Sequence, residues 1–154
     1  MLISAIQWGK DNEATALQKF KTYTNLNVQS SGLWLDSCGF LGADPDGLNN
    51  EGCVLEIKCP FKYRSTNSLT DAISDRSYFY WYDENDQIVM NPSHNYYHQV
   101  QGQLYLTGRS MCYFMAWTPH CVDIFTINKD LEWAGNTDIL KTFYLTKYLP
   151  HLCM

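Results

Sequence analysis

The chain has 154 residues, 45% of them hydrophobic, 18% charged and 15% aromatic, with 11 Tyr, 7 Phe and 5 Trp. That is the length of one domain with material for a core, and it excludes a disordered chain. The net charge of −5 argues against a broadly basic nucleic-acid surface, yet carboxylates gathered for a bound cation leave a nucleic-acid enzyme open.

No apolar run approaches the roughly 18 residues that span a bilayer. The start, Met1 to Trp8, has no basic segment ahead of a signal-like apolar run. The expectation is an intracellular protein, nuclear or cytoplasmic, without a membrane anchor. Cysteines stand at 38, 53, 59, 112, 121 and 153, none in a C-x-x-C pair. They read as small packing residues in a reducing compartment.

Along the chain, Glu13, Leu17 and Phe20 at i, i+4, i+7 predict a helix over Ser4–Tyr23 with Glu13 on its inward stripe. A polar loop, Asn25–Gly32, follows. Leu33–Asp36 and Gly39–Ala43 read as short strands. Asp44-Pro45-Asp46-Gly47 and Asn49-Asn50-Glu51-Gly52 are turn signals, and Cys53–Cys59 between the second turn and Pro60 is a strand. Asp46 and Glu56 therefore share one hairpin. Residues 62–93 are irregular, with a short helix near Ser68–Ser74, an aromatic cluster at Tyr78–Tyr82 and a loop or small hairpin at Asp83–Gln87. Tyr96–Thr107 is helical and ends at Gly108-Arg109. Met111–Thr118 and Val122–Ile127 are strands joined through Pro119-His120. The tail from Asp130 to Leu152 is helical, with Leu140, Phe143, Tyr144 and Tyr148 spaced for packing. The order predicts a mixed α/β (α+β) domain with a central sheet flanked by helices.

Strand alternation puts Val54, Glu56 and Lys58 on one face and Leu55 and Ile57 on the other. Charges on a buried face require a partner. Asp46 can approach Glu56, and two neighbouring carboxylates repel until a divalent cation relieves them. Lys58 would then face the same cavity, placed to orient or deprotonate a water. Glu13 would join from the helix, or else pair with a nearby Lys or Arg. The spacing D-x(9)-E-x-K is short. By itself it leaves a metal-dependent hydrolase and a structural ion-pair network equally open.

Several blocks together resemble a known family. Gly39–Leu48 (GFLGADPDGL), Leu55–Phe61 (LEIKCPF) and Tyr96–Gly108 (YYHQVQGQLYLTG) are similar, in order, to the YqaJ-type viral recombinases, which include lambda-phage exonuclease and belong to the PD-(D/E)xK nuclease superfamily. Trp8-Gly9 through Glu13-Ala14, the strand Cys112–Thr118 and the tail ending Leu149-Pro150 extend the likeness. The resemblance implies a restriction-endonuclease-like core and a DNA nuclease using Mg²⁺ or Mn²⁺. Asp46, Glu56, the Ile57 carbonyl and Glu13 would be metal ligands. Lys58 would position or activate the attacking water and balance phosphate charge, and Gln99 would orient the nucleophile or strand end. It further implies 5′–3′ exonuclease action on linear duplex DNA with free ends, in recombination or repair. A homotrimer and a single-strand annealing partner protein are implied as well.

Two departures are expected to matter. Asp44 stands where the family has Ser, adding negative charge near the ligands. The family's helices ahead of Trp8-Gly9, with their 5′-phosphate-binding Arg, are expected to be missing from a single domain spanning 1–154. The alternative is a catalytically weakened DNA- or protein-binding domain that keeps the nuclease fold.

Other residues carry two readings each. His94 and His98, at i, i+4, are a zinc pair or hydrogen-bonded bystanders. Lys62 and Arg64, with Ser65, Ser68 and Thr70, contact DNA phosphates or form a solvated loop. Tyr78–Tyr82 stacks on bases or fills the core. Arg109 caps a helix C-terminus. Cys59 faces away from Glu56 and Lys58, so it is a packing residue rather than a nucleophile.

Overall fold

The structure, a computed structural model, describes residues 2–152. Cys153, and with it the reading of that thiol as a packed one, lies outside the described residues.

A 23-residue helix, α1 (Leu2–Thr24), leads into the sheet. Five strands form one mixed sheet: β1 (Val28–Gln29), β4 (Gly47–Asn49), β5 (Val54–Lys58), β8 (Met111–Trp117) and β9 (Val122–Asn128), in the spatial order β1-β4-β5-β8-β9. Only β5 and β8 run parallel, with Glu56 opposite Phe114 and Lys58 opposite Ala116. The parallel pair requires a crossover, and the segment between them supplies it. That segment holds 3₁₀ turns at Phe61–Tyr63 and Leu69–Ser74, a hairpin of β6 (Tyr80–Tyr82) and β7 (Ile88–Met90), and helix α2 (Asn95–Thr107). A second small sheet pairs β2 (Trp34–Leu35) with β3 (Gly42–Ala43). The chain closes with a 3₁₀ turn at Leu131–Ala134, helix α3 (Gly135–Phe143), a π turn at Tyr144–Tyr148 and the short α4 (Leu149–Leu152).

Because β5 is covered on both sides, it shows no polar-out alternation; all of Val54–Ile57 are buried. On one face, Leu55, Ile57, Met115 and Trp117 pack with Ala16 and Phe20 of α1. On the other, Val54, Cys112 and Phe114 pack with Val100 and Leu104 of α2 and with Tyr78, Phe79 and Tyr80. The core reading of the aromatic cluster holds for those three residues, whereas Trp81 and Tyr82 are exposed. No helix among the described residues is long and apolar enough to cross a membrane.

Four expectations change. The loop Asn25–Gly32 contains β1, a two-residue strand defined only by its antiparallel partner β4. Glu13 is exposed, because α1 covers the Leu55/Ile57 face while Glu56 points at α2. Of the four tail residues spaced for packing, Tyr144 stacks on Phe40 at 4.4 Å, while Leu140, Phe143 and Tyr148 are exposed, with Tyr148 meeting the Tyr144 ring. Periodicity marked an apolar stripe there without a surface to receive it. Arg109 donates to the Gly52 carbonyl at 3.1 Å, and Gly108, at φ +68, takes the left-handed cap position instead.

Candidate active site

β4 ends its pairing with β5 at Gly47 opposite Leu55. Beyond that point the Ile57 N–H has no partner from β4, and Asp46 supplies one: its Oδ2 accepts that N–H at 2.6 Å. One residue ahead of β4, the Asp46 carboxylate is thereby fixed beside the outgoing end of β5.

Glu56 is only 1% exposed and every donor around it is a side chain. Oε1 accepts from the Lys58 ammonium and from Gln99 Nε2 at 2.8 Å; Oε2 accepts from Gln103 Nε2 at 2.7 Å. Gln99 and Gln103 lie one turn apart on α2, on one helix face. Gln103 is itself buried, and its Oε1 has no hydrogen-bond partner. The amide cannot be reversed to relieve that oxygen, since a carboxylate needs the N–H side. Lys58 Nζ lies 4.8 Å from the centre of the Tyr96 ring, a cation–π contact.

A cleft of about 380 Å³ opens at this end of β5, lined by Lys10 and Glu13 of α1 together with Asp46, Ile57, Lys58 and Tyr96. Burial, reinforced by the charges of Glu56 and Glu13, lifts the Asp46 carboxyl from 3.8 to about 7. Burial pulls the Lys58 amine down, but the charge and hydrogen bond of Glu56, with Asp46, outweigh it and leave a net upward shift. In the metal-free protein Lys58 is therefore an ammonium at neutral pH. Burial, with Glu13 and Asp46, pushes the Cys59 thiol up to about 12, which removes it as a nucleophile and leaves the packing role.

The expected residues fall into two groups. Asp46, Lys58, Ile57 and Glu13 line the cleft. Glu56 and Gln99 meet one another and Lys58 behind it. Among the described residues, no three His, Cys, Asp or Glu side chains form a metal-binding cluster. The donor chemistry still suits a hard cation: an oxygen-rich cleft in which Asp46 holds its proton against two neighbouring carboxylates. Asp44 lies apart, on a more apolar groove with Gln99, Gln103, Trp133 and Leu140.

The histidines are committed elsewhere. His94 Nδ1 caps α2 by accepting the Tyr96 N–H at 3.0 Å, and His98 Nδ1 accepts the Trp133 indole N–H at 2.9 Å. Two contributors went unassigned in the sequence, Gln103 and Tyr96. The signal for Gln103 was present: a polar residue four positions from Gln99, on a stripe with Val100, Leu104 and Thr107.

Similarity to known proteins runs the same way. A family model described as the YqaJ-like viral recombinase domain matches residues 2–110. Among solved structures, the alkaline exonuclease LHK-Exo from Laribacter hongkongensis is 25% identical, with a TM-score of 0.70 over 93% of this chain and 68% of that one. Its complex with dAMP gives 24% identity and 0.70, over 94% and 68%. A phage-related exonuclease from Haemophilus somnus 129PT gives 12% identity and 0.61, over 87% and 66%, which is a likeness of fold. No curated protein sequence matches the chain. The mixed sheet flanked by helices is thus the core of the PD-(D/E)xK-type exonucleases, and the chain belongs to the YqaJ-like viral recombinase domain family.

Proposed function

We propose that this protein is a metal-dependent deoxyribonuclease, a 5′–3′ exonuclease on linear double-stranded DNA that serves recombination or repair inside the cell. The reading is carried by one observation: the end of a single strand gathers Asp46, bonded to the Ile57 N–H on the cleft, and Glu56, bonded to Lys58 and Gln99 just behind it, all within the family match. The name of the Laribacter relative, an alkaline exonuclease, supports the reaction class.

Asp46, Glu56 and Glu13, with the Ile57 carbonyl, would hold Mg²⁺ or Mn²⁺. Such an ion would supply positive charge against the oxygens of the phosphate under attack. The protein's own part is positional. The Ile57 N–H holds Asp46 at the cleft. Gln99 and Gln103 hold Glu56, which in turn holds the Lys58 ammonium. The ammonium orients the attacking water and balances phosphate charge, and the charge and hydrogen bond of Glu56 favour its protonated form.

A second reading has its own observation. Both Glu56 oxygens are occupied by donors, and no metal-binding cluster is formed among the described residues. This favours a domain that binds DNA or protein without cutting. Incubation of linear duplex DNA with Mg²⁺ or Mn²⁺, with an EDTA control and with Asp46→Asn, separates the two. The nuclease reading requires metal-dependent loss of duplex that Asp46→Asn abolishes. Intact DNA with a folded protein at both metals leaves the binding domain.

A further inference from the structure

The groove that carries Asp44, about 650 Å³ in volume, lies between β3, α2 and α3. That is the size of a small-molecule site. Leu41, Leu106, Trp133, Ile139 and Leu140 give it apolar walls. No Lys or Arg lines it, and Lys141, the one lysine of α3, is paired with Asp36 at 3.0 Å.

The polar groups of this groove are biased towards accepting. Gln99 and Gln103 both turn Nε2 to Glu56, at 2.8 and 2.7 Å, so each presents its amide oxygen elsewhere. Asn136 Nδ2 donates to the Trp133 carbonyl at 2.9 Å, and the Thr137 hydroxyl to the Ala134 carbonyl at 2.8 Å. The Trp133 indole N–H is taken by His98. Asp44 makes no ion pair among the described residues. Gln103 Oε1 is the extreme case: it belongs to a side chain only 2% exposed and has no partner.

Apolar walls, amide oxygens and one carboxylate select a ligand that brings donors and positive charge on an apolar body. A DNA strand brings phosphates, which Asp44 repels. A peptide brings a carbonyl with nearly every N–H, and those carbonyls would face other acceptors. A linear polyamine brings only ammonium donors and methylenes. We propose that this groove binds a linear aliphatic polyamine. One ammonium pairs with Asp44, another donates to Gln103 Oε1, and the methylenes between them pack on Leu106, Trp133 and Leu140. Gln99 and Gln103 bridge the groove to Glu56, so a cation on their oxygens polarises the amides and strengthens their hold on that carboxylate. The site goes beyond the nuclease reading and stands apart from it.

The test is calorimetric titration of metal-free protein with spermidine, without DNA. Hexaamminecobalt(III), which matches its charge but has no methylenes, and trilysine, which adds peptide carbonyls, are titrated alongside. The expected result is one spermidine per chain, with both comparators binding at least about tenfold more weakly. Asp44→Asn and Leu140→Lys, both at exposed positions, should each lose about tenfold in spermidine affinity, and Gln103→Leu several-fold. Two controls should change little: Asp138→Asn, an exposed carboxylate of α3 outside the groove, and Glu13→Gln at the cleft. Circular dichroism checks each fold; if Gln103→Leu does not fold, the two exposed variants decide. Absence of saturable binding overturns the proposal, as does equal binding of hexaamminecobalt(III). An Asp44→Asn effect no larger than that of Asp138→Asn also overturns it, and a Glu13→Gln effect as large as that of Asp44→Asn moves the amine to the cleft and does the same. Trilysine binding as well as spermidine overturns the polyamine and leaves a lysine-bearing peptide. No cleavage is measured, so failure of the nuclease reading leaves each of these outcomes unchanged.

Discussion

Replacing Gln103 with Leu removes the sole donor to Glu56 Oε2 among the described residues. The lost bond is 2.7 Å long and reaches a carboxylate that is 1% exposed. A hydrogen bond to a charged group contributes about 1.5–3 kcal/mol, and its loss leaves the other oxygen partner buried and unpaired. One gain opposes this. Gln103 Oε1 is already buried without a partner, and removing it returns on the order of 1 kcal/mol. The net destabilisation is about 0.5–2 kcal/mol, or roughly 1–8 °C in Tm for a domain of this size. Gln99→Leu should cost less, because Glu56 Oε1 keeps Lys58. Urea denaturation of the two variants in EDTA measures the difference. If Gln103→Leu costs no more than Gln99→Leu, Gln103 does not hold Glu56 as described.

The Asp46 carboxyl, raised to about 7 by burial and by Glu56 and Glu13, gives metal-free protein a signed pH dependence. Between about 4 and about 7 the folded state keeps a proton that the unfolded chain has released, so this contribution to stability is full below about 4 and lost as pH rises through about 7. Urea midpoints of the intact protein and Asp46→Asn across that range should diverge in this direction; an intact protein gaining stability relative to Asp46→Asn as pH rises contradicts it. A β-carbon added at Gly47 would collide with Val28 and come within 3.1 Å of the Gln29 carbonyl. Gly47→Ala should therefore cost about 1–3 kcal/mol and displace Asp46, read as reduced stability together with reduced cleavage.

The hairpin that carries Asp46, Glu56 and Lys58 was legible because its signals are local. Turn residues bracket Cys53–Cys59, and Pro60 stops the strand. α2 was legible from Val100 and Leu104 and its terminal Gly108. What escaped depends on distant partners. β1 is two residues long and exists through pairing with Leu48 and Asn49, some twenty positions on. Glu13 shares a periodic stripe with Phe20, but which sheet face receives α1 is decided by Leu55 and Ile57, and that choice leaves Glu13 at a cleft mouth. Gln103 was visible as a polar residue on an apolar stripe, yet its target lies 47 positions away. In the tail, the spacing of Leu140, Phe143, Tyr144 and Tyr148 marks a face, but only Tyr144 is covered, by Phe40, since spacing reports a face and not its cover.

Lys58 tests the central claim most directly. Its ammonium is held by Glu56 and the Tyr96 ring at the cleft, and Lys58→Ala removes the charge proposed to position water. Because the substitution also leaves the buried Glu56 carboxylate without its counter-ion, circular dichroism must first show the variant folded. End-labelled linear duplex, incubated in Mn²⁺ with the intact protein and with Lys58→Ala, should be degraded by the first and lose at least about a hundredfold in rate with the second. Equal rates for the two proteins, or nucleotide release that persists in EDTA, would contradict the account.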